Sequence, residues 1–77
     1  MNKEKLKEIL IRENIPNDAY SLEGGFPNEA YCLNIENGKW QVYYSERGQK
    51  SNLKEYYSEE EACEELYKRL QIRLGWI

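Results

Sequence analysis

Apolar positions along the 77-residue chain change their period twice, from helical to alternating and back to helical. Residues 3–13, Lys-Glu-Lys-Leu-Lys-Glu-Ile-Leu-Ile-Arg-Glu, place Leu6, Ile9 and Leu10 on one stripe among strong helix formers, which predicts an amphipathic helix. Asn2 is its expected N-cap; Asn14 is suited to end it in a left-handed conformation, and Pro16 prevents its resumption. Ile11 falls off the stripe. Ala19 to Leu22 reads as a short first strand. From Glu29 to Glu46 the pattern alternates around Asn37-Gly38, a strong hairpin signal. Tyr31, Leu33 and Ile35 share one face of the first hairpin strand; Trp40, Val42 and Tyr44 share one face of the second.

A second turn is expected at Arg47-Gly48-Gln49, followed by a strand over residues 51–57 with imperfect alternation. Leu53, Glu55 and Tyr57 share one face there, Lys54 and Tyr56 the other; a bulge near Glu55 would turn both Leu53 and Tyr56 inward. Ser58-Glu59-Glu60-Glu61 is a capping box, with three acids at the positive end of the helix that follows. That helix is expected to run to about Leu74 with Ala62, Cys63, Leu66, Tyr67, Leu70 and Leu74 on one face. Gly75 would end it, and Trp76 and Ile77 would fold back on the core. The order α-β-β-β-β-α predicts one α+β domain over residues 1–77. It is a two-layer sandwich in which an antiparallel meander of three to four strands carries both helices on one face.

The connection Gly24-Gly25-Phe26-Pro27-Asn28 reads as ordinary turn punctuation, although the two glycines also permit positive φ or close approach of another chain segment. With both helices on one sheet face, Cys32, Asn34, Gln41, Tyr43 and Ser45 are expected on the other, together with Tyr56 in one of the two registers. Glu29, Glu36, Glu46 and Arg47 fall near its rim. Such a polar, tyrosine-bearing face suits either a contact surface or plain solvation.

Composition sharpens this picture only in places. Seven Tyr and two Trp against one Phe favour half-buried and contact positions over a purely apolar core. A net charge of −3, from 14 acids and 11 bases, opposes non-specific nucleic-acid binding and suits either solubility or a basic protein partner. The chain begins Met-Asn-Lys-Glu-Lys with no apolar run behind it, so neither signal peptide nor membrane span is expected, and the expected location is cytoplasmic. Cys32 and Cys63 then read as reduced, buried thiols.

Candidate chemistry is sparse. The chain has no His, so the usual base beside a Ser or Cys nucleophile is missing. Two cysteines 31 positions apart match no common zinc spacing. Glu59, Glu60, Glu61, Glu64 and Glu65 read as a cap and a solvated helix face, and no glycine-rich loop opens a helix. The expectation is a non-enzyme without cofactor or metal.

The run from Gly24 to Leu33, the block Gly38-Lys-Trp-Gln-Val-Tyr-Tyr-Ser-Glu-Arg-Gly48, and Ser58-Glu-Glu-Glu-Ala-Cys63 together resemble small bacterial proteins encoded beside polymorphic or contact-dependent toxins and regarded as their immunity proteins. The resemblance spans about residues 14 to 70, and its specific part is Trp-x-Val-Tyr-Tyr-Ser-Glu-Arg-Gly. It implies a stoichiometric inhibitor that binds a toxin domain, with a basic nuclease as one kind of target. It supplies no contact residues. Tyr43, Glu46, Arg47 and Tyr56 are the candidates, chosen for expected exposure and residue type. The rival is a regulatory or structural homodimer without a toxin partner, so both monomer and homodimer remain open; nucleic-acid binding ranks last.

Overall fold

The computed structural model describes residues 1–75. Helix α1 (Lys3–Arg12) leads into strand β1 (Tyr20–Ser21), followed by β2 (Ala30–Glu36), β3 (Lys39–Glu46), β4 (Gln49–Tyr56) and helix α2 (Glu59–Arg73). The strands lie side by side in chain order. β2, β3 and β4 form the expected antiparallel meander, but β1 joins β2 in parallel, making the sheet mixed. The expected fold-back of Trp76 and Ile77 lies outside the described residues.

Each helix starts on a side-chain cap. Asn2 Oδ1 accepts from the Lys5 amide at 2.8 Å, and Ser58 Oγ accepts from the Glu61 amide at 3.2 Å. The capping box ordinarily closes with the Glu61 carboxylate on the Ser58 amide; here the Ser58 hydroxyl donates to that carboxylate at 3.1 Å. Asn14 ends α1 at φ +58°, and Gly75 follows α2 at φ +74°.

Leu6 and Leu10 of α1 meet Ala62, Cys63, Leu66 and Leu70 of α2 over Leu33 and Val42 of the sheet, in one buried cluster. The helices therefore cover a single face. Glu59 Oε2 accepts from the Lys3 amide at 2.8 Å, and the Tyr67 hydroxyl donates to Glu13 Oε2 at 2.6 Å. Start meets start, so α1 and α2 run in the same direction. The predicted alternation holds in β3, where Val42 is fully buried, Trp40 packs at the edge of the cluster and the Tyr44 ring centroid lies 4.8 Å from that of Tyr31. Ile35, assigned to that inner face, is 52 % exposed, and Ile11 is 60 % exposed.

β4 carries the irregularity. Val42 pairs with Lys54 but Tyr44 pairs with Ser51, so β4 holds one residue more than β3 across that step. The extra residue falls at Asn52–Leu53, where Asn52 takes φ +54°, rather than at Glu55. Beyond it Tyr56 pairs with Trp40 and turns toward the helices, while Leu53 stays partly exposed. Arg69 of α2 supports the bulge: its Nη1 donates to the Asn52 carbonyl at 3.1 Å and lies 3.5 Å from that of Val42, while Nε pairs with Glu65 at 2.8 Å. No helix among the described residues is long and apolar enough to cross a membrane.

Candidate protein-docking surface

The parallel placement of β1 decides what becomes of the second sheet face. To re-enter the sheet in the same direction, the chain must travel back between Ser21 and Ala30, and it does so across the face opposite the helices. The strap passes β2, where Gly24 presses on Asn34: a Cβ on Gly24 would stand 2.5 Å from Asn34 Oδ1. It reaches β3, where the Tyr43 hydroxyl donates to the Gly25 carbonyl at 2.7 Å. Gly24 and Gly25 both take positive φ, at +71° and +82°. The Ser21 hydroxyl holds the near end of the strap through the Gly24 carbonyl at 2.9 Å.

Tyr43 is therefore fully buried, together with Cys32 and Ser45. Its selection as an exposed contact fails because the strap covers it. Burial, with Cys32 and Glu36 nearby, pushes its hydroxyl up to about 12. Burial also raises the Cys32 thiol, which donates weakly to the Ala30 carbonyl at 3.7 Å. Both cysteines are free. Cys32 lies under the strap and Cys63 in the helix-side core, so the sheet separates them.

Tyr56 is also displaced from its assigned role. The bulge turns it to the helix side, half-buried against the core near Arg69 and Glu65; burial, then the Glu65 charge, raises its hydroxyl pKa. Its partner Trp40 is six residues along β3 from Glu46, about 20 Å at strand rise. The structure thus does not gather the four candidates into one patch.

It does gather a different set around two of them. Ser45 pairs with Ala30 on one side and Lys50 on the other, so Glu29, Glu46, Arg47 and Lys50 share one end of the sheet. Arg47 and Glu29 both occupy the left-handed region, at φ +51° and +53°, and both are exposed. Glu46 is half-buried. Phe26, 60 % exposed on the strap, lies beside them: the Lys50 ammonium is 5.4 Å from its ring centroid and 4.7 Å from that of Tyr43. Sequence reasoning missed Phe26 and Lys50. The signal available was the Gly24-Gly25 pair ahead of a lone aromatic, which permits the close approach that the strap makes.

Across the rest of this face the side chains are held in register. Gln41, 5 % exposed, accepts from Asn34 at 3.2 Å and donates to the carboxylates of Glu36 and Glu55, each at 3.4 Å. Lys39 stands 3.8 Å from Glu55. On the helix side, an open groove of about 580 Å³ is lined by Tyr31, Asn52, Leu53, Lys54, Glu65 and Arg69. Its arginine is committed to Glu65 and the bulge carbonyls, which leaves little for an incoming anion. Among the described residues no three potential metal ligands form a group that could hold an ion. Comparison with protein-family models, curated proteins and solved structures finds no match to this chain.

Proposed function

We propose that this chain is a non-catalytic, cytoplasmic protein-binding module, an immunity protein that neutralises a bacterial toxin domain by covering it. The supporting observation is the end of the sheet where Arg47 and Glu29 project into solvent from left-handed backbone. Asn or Gly would fill either position at lower conformational cost. Exposed charges retained at such a cost favour a contact role over a purely structural one. Phe26 adds an exposed aromatic anchor on a clamped strap, the kind of residue that dominates interface energetics. Net charge −3 suits a basic target and would chiefly speed encounter.

The homodimer reading draws on the free β4 edge. That edge is broken by the Asn52 bulge and carries Lys50 and Lys54, features that oppose strand-to-strand pairing. The immunity reading is therefore preferred. Co-expression with the toxin domain encoded immediately upstream tests it: survival of cells that the toxin alone kills is expected. Lack of rescue, or the absence of any toxin gene there, would overturn it.

A further inference from the structure

The strap and β4 together build a place for a positive charge. The Lys50 ammonium lies over the rings of both Phe26 and Tyr43, and among the described residues it makes neither an ion pair nor a hydrogen bond. Aromatic faces attract cations through their quadrupole, and paired rings select ammonium and guanidinium groups over neutral ones of the same size. One of these rings is fixed: Tyr43 is buried and its hydroxyl is tied to Gly25. The other is carried by the same strap one residue further on, so the two rings are held together by the backbone.

We propose that the Phe26–Tyr43 pair receives a Lys or Arg side chain of the protein partner, and that Lys50 occupies this place in the free protein. The proposal rests on the protein-binding reading above and adds the chemistry of the partner's contact. Lys50 is well suited to leave, since it is solvent-exposed and held by the rings alone. Once displaced, the Lys50 ammonium returns to water at small cost, while the partner's cation takes the ring contacts within a closed interface, where they strengthen as water is excluded.

The test uses the intact protein and small probes followed by nuclear magnetic resonance. Titration with N-acetyl-arginine amide or N-acetyl-lysine amide should move the Phe26 and Tyr43 ring signals saturably. It should also shift the Lys50 ε-methylene protons from their ring-shielded position toward that of free lysine. N-acetyl-norleucine amide, the neutral control, should do neither. Lys50→Ala removes the internal occupant and should tighten probe binding roughly two- to fivefold, the ratio set by an exposed cation–π contact. If Lys50→Ala loses its native amide spectrum, Lys50→Ser is titrated, and displacement in the wild-type protein stands as an independent readout. An unmoved Lys50 signal, an equal response to norleucine, or no tightening in the folded variant would overturn the proposal. Toxin rescue without probe binding would sink this inference alone. Probe binding without rescue would instead uphold the receptor and sink the immunity reading.

Discussion

Arg47 occupies the first central position of the β3–β4 turn at φ +51°, with Gly48 following at φ +73°. Positive φ at both central residues is the pattern of a type I′ hairpin turn, which Asn37-Gly38 satisfies with its favoured residue and Arg47-Gly48 does not. Arg47→Asn should therefore raise stability by about 1 kcal/mol, or roughly 4–8 °C in Tm for a domain of this size. Thermal unfolding by circular dichroism measures it; an unchanged or lower Tm would show that the turn is not strained. Tyr43 gives a second residue-scale prediction. Its hydroxyl titrates near 12 in the folded protein against about 10 when unfolded. The folded state thus holds this proton more tightly, so the associated stability is complete below pH 10 and is lost as pH rises through 12. Tyr43→Phe removes that loss and also leaves the Gly25 carbonyl without its donor, costing about 1 kcal/mol at neutral pH. Urea midpoints across pH 7–11 should converge for the two proteins at the alkaline end, and parallel curves would contradict the assignment.

At the scale of elements, period and punctuation suffice to read both helices, the two hairpin turns, the inward face of β3 and, short of Ile35, that of β2. Local chemistry decides those features: caps at Asn2 and Ser58, Asn37-Gly38 at the tip, and a strict two-residue alternation from Trp40 to Ser45. Two features depend on distant partners and were not legible in this way. A two-residue strand has no alternation to read, so the direction of β1 had to come from its pairing with Tyr31 and Cys32. That direction sends the strap over Tyr43 and reverses its expected exposure. The bulge site was likewise ambiguous, because the Asn52 carbonyl finds its donor in Arg69, 17 residues away. Arg69→Met should leave Glu65 and that carbonyl without their donor, costing about 2 kcal/mol. Amide hydrogen exchange should then accelerate along β4 more than in α1; uniform acceleration, or none, would show that the bulge holds without the arginine.

Across the whole molecule, one face of the sheet is given to the core and the other to the strap, while the sheet end around Phe26, Glu29, Arg47 and Lys50 combines exposed charge with an exposed aromatic ring. Two of the four residues first chosen for contact, Glu46 and Arg47, belong there; Tyr43 contributes from beneath, and Tyr56 belongs to the helix side. We propose that this end of the sheet is the protein-docking surface and that its partner is a toxin domain. Calorimetric titration of that toxin domain with the wild type and with Phe26→Ala/Arg47→Asn tests it most directly. The variant should remain folded, with Arg47→Asn easing the turn, and bind at least about tenfold more weakly, the loss of roughly 1.4 kcal/mol that a single truncated anchor residue ordinarily exceeds. Wild-type affinity in the folded double variant would contradict the account.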